Sequence, residues 1–301
     1  SGKMTNKGWE FRVDAVPFQN KDWRVGVYFN IAHNENKITE MPDNYIEENY
    51  TFGNGNYAYR REEGRPMGSF YGYRYKGVYQ NKDATYARDI EGNVMKDISG
   101  NAIVMRNGSY TVAPGDAIYE DVNHDGVINQ YDIVYLGNSN PRLTGGAGLN
   151  VSYKQFKLSA IFYGRYGQDV VNATRLNNES MRGIDNQSTA VLRRWRNEGD
   201  QTDIPRALYG EGYNTLGSDR FVEDASYLRL KSLSFTYRLP KKAIQRWGFN
   251  NIDVYVTGYN LFTWTKYTGQ DPEVKTENTY ARDTATTPAS IQLVAGFNLS
   301  F

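Results

Sequence analysis

Residues 143–166 read LTGGAGLNVSY, then KQ, then FKLSAIFYGRY. In the first segment, Leu143–Tyr153, apolar or small residues occupy every second position, and polar residues or glycine fill the positions between them. The second segment, Phe156–Tyr166, begins with the same alternation, and only Lys154-Gln155 separates the two. A period of two is typical of a β-strand with one apolar and one polar face. The stretch therefore predicts a pair of long antiparallel strands joined by a tight turn.

The same pattern recurs along the chain. Further strands are predicted, the third and fourth with less regular alternation, at Trp9–Pro17, Trp23–Ile31, Ala225–Leu239, Ile252–Thr263 and Ile291–Phe301. Strands in globular proteins average about 5–6 residues, and most of these are clearly longer. The sequence therefore predicts an all-β antiparallel fold with about seven long strands.

Strand length and loop asymmetry favour a transmembrane β-barrel over a soluble sandwich. Strands of about 9–11 residues that alternate apolar and polar residues are typical of outer-membrane barrels, although soluble antiparallel sheets also alternate. Short links at Gln19–Asp22 and Lys154-Gln155 contrast with long connections at Asn36–Pro141, Asp169–Glu223 and Lys266–Ala289. Outer-membrane barrels combine short periplasmic turns with long extracellular loops.

This asymmetry orients the predicted strands. With the short turns in the periplasm, residues 36–141 form a large extracellular insertion, although Gly68–Gln80 within it resembles a strand, and Phe301 lies at the periplasmic edge. Seven is an odd number, whereas bacterial single-chain barrels have even counts, and unpaired strand edges are not tolerated in lipid. We therefore expect the whole chain, 1–301, to be part of a larger barrel. Its first residues lack the features of a signal peptide.

Composition excludes several classes of protein. Mean hydropathy is −0.70, and no apolar run approaches the roughly 18 residues of a membrane-spanning helix. The 35 Lys and Arg residues against 34 Asp and Glu residues argue against nucleic-acid binding, which usually needs a basic excess. Because the chain has no cysteine, disulfides and thiolate chemistry are excluded. The 25 tyrosines are candidates for an interface girdle and for loop positions.

A calcium-type loop is the most specific motif in the sequence. Residues 121–132 read DVNHDGVINQYD, with glycine at loop position 6. The candidate ligands of Ca²⁺ are Asp121, Asn123, Asp125, the Val127 carbonyl, Asn129 and Asp132. Asp132 stands where an EF-hand has Glu, and no flanking helix pair is evident. The alternative is an Asx-rich turn that folds without metal.

Other polar motifs indicate no catalysis. His33 and His124, the two histidines, have no metal-protease spacing, and no Ser-His-Asp grouping is evident. Arg193–Arg196 follows a predicted short loop helix, and this basic, aromatic stretch is either a solvated face or a binding contact. The tyrosine-rich stretches Tyr45–Tyr59 and Tyr209–Asn214 either stack sugars or line polar loops. Glycine runs at 53–55 and 145–146 lack the context of a phosphate loop, and the second is expected to ease strand curvature.

Several segments, in family order, resemble the SusC/RagA family of TonB-dependent outer-membrane transporters of Bacteroidetes. They are Asn6–Phe11, Glu63–Tyr73, Gly115–Gly126, Leu136–Pro141, Val222–Lys231, Gly258–Phe262 and Gly269–Glu273. Each segment alone is weakly specific, but together they cover nearly the whole chain.

The resemblance implies the C-terminal part of a plugged barrel of about 22 strands, with the plug domain and TonB box outside this chain. It also implies a SusD-like surface lipoprotein as a lid, energy from the TonB complex, contact with outer-membrane lipid and a dimer of transporter–lipoprotein pairs. The expected function is import of oligosaccharide or peptide without catalysis. A surface adhesin or translocator barrel and a secreted calcium-binding carbohydrate-active protein remain alternatives.

Overall fold

The computed structural model describes residues 2–42, 56–58, 60–274, 276–277 and 280–301. Its largest element is a seven-stranded sheet in which every strand pairs antiparallel with its neighbours in the chain. The strands are β1 (Lys3–Gln19), β2 (Trp23–Glu40), β3 (Leu143–Tyr153), β4 (Phe156–Tyr166), β5 (Tyr227–Arg238), β6 (Asn251–Thr265) and β7 (Gln292–Ser300). The predicted all-β antiparallel fold with seven long strands is confirmed.

The strand register places all the apolar faces on one side of the sheet. One row across five strands runs Phe29, Ala147, Phe162, Leu230, Phe262, with each residue directly opposite the next. A register shift of one residue would send every side chain to the other face, so this register is strongly specified. We call this side the apolar face and the opposite side the polar face.

The apolar face is exposed across the sheet. Trp9 is 51% exposed, Phe29 45%, Val256 49% and Phe297 67%. Soluble monomers rarely expose contiguous apolar surface larger than a few hundred Å². An apolar medium must therefore cover this face.

The first two strands are longer than predicted. β1 begins at Lys3 and β2 continues to Glu40, so that the first five residues of the predicted insertion, which begins at Asn36, lie in β2. The added residues pair as a polar ribbon, with Lys7 opposite Glu35 and Asn6 opposite Asn36. Because this ribbon is polar apart from Met4 and the buried Ile38, which lie opposite each other, it lacks the alternation that identifies the rest of each strand.

The links at one end of the sheet are compact. In the first, the Asn20 side-chain oxygen accepts hydrogen bonds from the Asp22 and Trp23 amides. The long connections contain a short helix, α1 (Ala173–Asn178). The link between β5 and β6 contains a second helix, α2 (Lys241–Ile244), followed by a 3₁₀ turn, Gln245–Trp247. No helix in the described part of the chain is long and apolar enough to cross a membrane.

The long connections all lie at the other end of the sheet and fold together. We call their described residues between β2 and β3, β4 and β5, and β6 and β7 the loop unit. Its short strands are Ser69–Gly72, Tyr75–Val78, Arg106–Asn107, Tyr110–Thr111, Ala117–Tyr119, Val134–Asn138, Asp169–Asn172, Val222–Asp224, Thr276–Glu277 and Tyr280–Asp283. Its 3₁₀ turns are Asp83–Thr85, Gln130–Asp132, Thr189–Arg193, Tyr213–Thr215 and Asp219–Phe221. The predicted strand-like stretch Gly68–Gln80 thus contains two short strands.

The loop unit has its own hydrophobic core. Fully buried Phe70 and Phe221 pack in one cluster, and fully buried Tyr71 and Ile128 pack in another. The connections are therefore structured elements that pack on one another.

Candidate functional site

The outer end of the polar face carries a square of four side chains. Tyr163 and Arg165 on β4 lie directly opposite Arg229 and Tyr227 on β5. All four point to the same face because residues two apart on a strand share a face. This square faces the loop between β6 and β7.

Arg229 is the centre of an ion-pair network. Its guanidinium donates to Asp271 at 2.5 Å, to Glu273 at 2.9 Å and to the Thr263 hydroxyl at 2.8 Å. Lys231 also donates to Glu273, at 2.8 Å. Only 3% of Arg229 is exposed, so the charge depends on these partners.

The network fixes the last long loop to the wall of the sheet. Asp271 also accepts hydrogen bonds from the Glu273 and Ala289 amides. Burial opposes ionisation of Asp271, but these amides and Arg229 outweigh it and lower the pKa of the carboxyl. The segments Val222–Lys231 and Gly269–Glu273, noted above only for their resemblance, are thus joined by charge.

Most tyrosines of the loop unit are structural. Tyr73, Tyr79, Tyr119 and Tyr213 are each at least 96% buried. Burial raises the pKa of Tyr79 to about 12. These four tyrosines lie at loop positions, as predicted for part of the set, but they form a buried core rather than an interface girdle.

The stretch Tyr209–Asn214 divides into two parts. Tyr213 and Asn214 are buried and cannot stack on a sugar, whereas Tyr209 is 76% exposed. Most of Tyr45–Tyr59 and the glycine run at 53–55 lie outside the described residues.

A buried carboxylate links the first two long connections. Asp116 is fully buried and accepts hydrogen bonds from Arg206 at 2.7 Å, Tyr110 at 2.6 Å and Asn214 at 3.2 Å. Arg206 and Asn214 come from the connection after β4. Sequence reasoning did not find this contact because its partners are about 90 residues apart.

The calcium-type loop is anchored at its second half. Ile128 is fully buried, and its amide donates to the Arg106 carbonyl at 2.8 Å. Asn129 and Asp132 form a capping box around the Gln130–Asp132 turn. Gly126 has φ +78°, and a Cβ there would lie 2.9 Å from that of Ala87, so both conformation and space require glycine.

The predicted ligands lie within one loop, but their oxygens mostly accept backbone hydrogen bonds. Asp121 accepts from the Gly126 amide at 2.8 Å and Asp125 from the Val127 amide at 2.8 Å. The two carboxylate oxygens of Asp132 accept from the Val122 and Asn129 amides. Among the described residues, no three His, Cys, Asp or Glu side chains form a group that could hold a metal ion.

The remaining ligands differ in exposure and orientation. Asn123 is exposed, and the Asn129 side-chain amide donates to the Val127 carbonyl at 3.1 Å. Burial raises the pKa of Asp132, and the negative charges of Asp121 and Asp125 contribute. The oxygen-rich donor set suits a hard cation such as Ca²⁺, but the described acids do not form a metal-binding cluster, so the calcium site stays a prediction.

The other predicted features have structural contacts. His33 Nδ1 lies 2.7 Å from the Arg142 carbonyl, and His124 Nδ1 lies 3.3 Å from that of Arg88. The predicted loop helix is a 3₁₀ turn, Thr189–Arg193, followed by Trp195, whose ring covers Gly115. At Gly145 a Cβ would lie 2.7 Å from the Asn30 carbonyl, so glycine permits close approach of β2 and β3 there, while the expected easing of strand curvature stays a prediction.

Comparison with known proteins identifies homologues of the chain. TonB-dependent receptor P3 of Formosa agariphila is 32% identical over 284 residues, which are 92% of this chain and 26% of the relative. TonB-dependent receptor SusC of Bacteroides thetaiotaomicron is 28% identical over 309 residues, covering 100% of this chain and 27% of the relative. Over most of its length the chain is a homologue of TonB-dependent receptors, SusC among them. No protein-family model matches the sequence.

Solved structures agree with this assignment. The RagAB peptide transporter superposes with a TM-score of 0.74 at 27% identity, over 100% of this chain and 30% of that chain. The RagAB peptide importer in its "open-open" state gives a TM-score of 0.67 at 26% identity, with 29% of that chain covered. This chain thus spans about a quarter to three-tenths of the proteins it matches.

The fold match identifies the medium around the sheet. Because the chain superposes over its whole length on a barrel transporter, β1–β7 are a segment of an antiparallel transmembrane barrel and the apolar face meets lipid. The relatives are named as receptors and transporters rather than enzymes, in agreement with the prediction.

Proposed function

We propose that this chain forms part of the barrel of a TonB-dependent importer that takes up oligosaccharides or peptides across the outer membrane. The observation that carries the proposal is the continuous apolar face, which the strand register maintains across all seven strands. It leaves the opposite, polar face as the wall of an aqueous lumen. The long connections then lie outside the cell and the compact links in the periplasm.

The remaining parts of the machine belong to the complete receptor and its partners. A plug domain and a TonB box would couple the lumen to the proton-motive force of the inner membrane. A SusD-like surface lipoprotein would close the mouth over the loop unit, which we take to include the extracellular insertion at 36–141. Two such pairs would form a dimer. Similarity to the RagAB peptide transporter and importer favours a two-component assembly.

The test is energised uptake in cells with and without the complete receptor gene. Radiolabelled peptides and oligosaccharides are supplied with and without a protonophore. We expect uptake of one class that requires both the receptor and the proton-motive force. Surface display of the receptor with no energised uptake of either class would instead indicate an adhesin or translocator.

We also propose that the loop at 121–132 binds Ca²⁺ in a structural role. Asp121, Asn123, Asp125, the Val127 carbonyl, Asn129 and Asp132 would hold the ion, which would neutralise the acids that converge on the buried end of the loop. The anchoring of Ile128 in the core would pass this stabilisation to the loop unit. The corresponding test is among the predictions below.

A further inference from the structure

The cations on the outer part of the polar face outnumber the acids. Arg165, Arg229 and Lys231 come from β4 and β5, whereas Asp271 and Glu273 come from the facing loop. Both acids are engaged: Asp271 pairs with Arg229, and Glu273 pairs with Arg229 and Lys231. Within the described ranges, Arg165 has no salt bridge and donates only to the Tyr163 hydroxyl, at 3.1 Å.

A buried tyrosine, its hydroxyl group unbonded within the described residues, lies directly opposite Arg165. Tyr227 is 5% exposed, and its hydroxyl has no hydrogen-bond partner among the residues that the structure describes. Buried hydroxyl groups ordinarily have a partner. Tyr163 shares this corner, since its ring centroid lies 6.3 Å from that of Tyr227.

We propose that Arg165, together with the hydroxyls of Tyr163 and Tyr227, forms a subsite on the lumen wall that binds a carboxylate of the transported substrate. A guanidinium presents a planar fork of donors that matches a carboxylate. The two phenols add O–H donors beside it. On neighbouring β3, the space over Gly146 and Gly148 is occupied by the side chains of Asn30 and Tyr28 of β2.

The subsite depends on the proposed function in one respect: the polar face is taken as the wall of the lumen. The ligand that it would bind is an anionic substrate. The carboxylate comes from an acidic peptide or from a uronic acid of an oligosaccharide, and the two sources are separated by the probes below. An acidic side chain from elsewhere in the receptor is the competing occupant.

The experiment measures binding by the complete receptor purified with its lipoprotein. Calorimetric titration uses two matched probe pairs: a Glu-containing tetrapeptide against its Gln isostere, and a galacturonic acid trimer against a galactose trimer. We expect one acidic probe to bind at least tenfold more tightly than its neutral partner.

Four variants separate the subsite from the fold. Arg165→Gln should remove most of the preference for the acidic probe, and Arg165→Lys should keep part of it. Tyr227→Phe should weaken acidic binding about threefold without lowering thermal stability, because the hydroxyl bonds to none of the residues that the structure describes. The matched control is Arg24→Gln, an exposed arginine on the polar face at the other end of β2, which should change neither probe.

Several results would overturn the subsite. One is equal binding of acidic and neutral probes by the unsubstituted receptor. Another is an equal effect of Arg165→Gln on both probes with a loss of thermal stability, which would assign Arg165 to an acid of the receptor itself. Uptake separates the two proposals: binding preference without energised uptake refutes the import function alone, whereas uptake without any acidic preference refutes the subsite alone.

Discussion

Replacing Arg229 by Met should release the last long loop from the barrel wall. The substitution keeps an unbranched side chain but removes donors to Asp271, Glu273 and Thr263. Removing one partner of a buried ion pair typically costs about 3–5 kcal/mol. Because Glu273 is 29% exposed and keeps Lys231, we take the lower end, about 3 kcal/mol.

This free energy applies to local opening of the loop. At roughly 1.4 kcal/mol per factor of ten, it corresponds to an increase of about 100-fold in the opening equilibrium. Hydrogen exchange of the complete receptor measures this directly. The reporters are the Glu273 and Ala289 amides, which donate to Asp271.

The matched control is Arg238→Met at the other end of β5. Arg238 pairs with Asp253, but its side chain is 59% exposed, so its loss should cost about 0–1 kcal/mol. If Arg229→Met leaves exchange at Glu273 and Ala289 unchanged, or if the two variants behave alike, the network does not hold the loop.

Four further predictions concern the calcium-type loop, the buried Asp116, the apolar face and the pKa of Asp271. Ca²⁺ should raise the thermal unfolding midpoint of the complete receptor, and Asp125→Ala should abolish this rise. The control Asp97→Ala, in an Asx turn outside the motif, should leave the rise unchanged. A rise that Asp125→Ala does not affect would place the metal elsewhere. Asp116→Ala should leave Arg206 unpaired, destabilise the contact between the first two long connections by about 3 kcal/mol and speed proteolysis within residues 167–226; unchanged cleavage would contradict this role. Val256→Arg on the apolar face should cost about 2–4 kcal/mol near the bilayer midplane and reduce the folded fraction on heat-modifiability gels, whereas Asn298→Arg on the polar face should not. The pKa of Asp271 is lowered, so its stabilising contribution is present above the ordinary value of 3.8 and is lost as pH falls through the lowered pKa. Opening of the loop, measured by hydrogen exchange at the Ala289 amide, should therefore rise only under strong acid.

The sequence predicted the sheet where one face meets lipid and the other meets water. In β3 and β4 the alternation alone defined both strand ends, Leu143–Tyr153 and Phe156–Tyr166, as observed. It failed from His33 to Glu40, where Ile38 is the one apolar residue among polar ones. An alternation of apolar and polar residues identifies a strand only where its two faces differ in polarity.

The loop unit and the site depended on contacts that no local pattern records. Arg229 meets Asp271 across 42 residues, and Asp116 meets Arg206 across 90. Tyr213 was ambiguous for a related reason: tyrosine suits a core, an interface or a polar loop, and only packing decides among them. Local motifs such as the loop at 121–132 were recognisable because their hydrogen bonds close within a few residues.

Sidedness of the barrel tests the central claim most directly. This chain has no cysteine of its own, so Ser99→Cys in the loop unit and Lys241→Cys in the link between β5 and β6 each give a single labelling site within it. Intact cells are treated with a membrane-impermeant maleimide before and after the outer membrane is disrupted. We predict labelling at position 99 in intact cells and at position 241 only after disruption. Equal labelling of both positions in intact cells, or labelling of position 241 alone, would contradict the account.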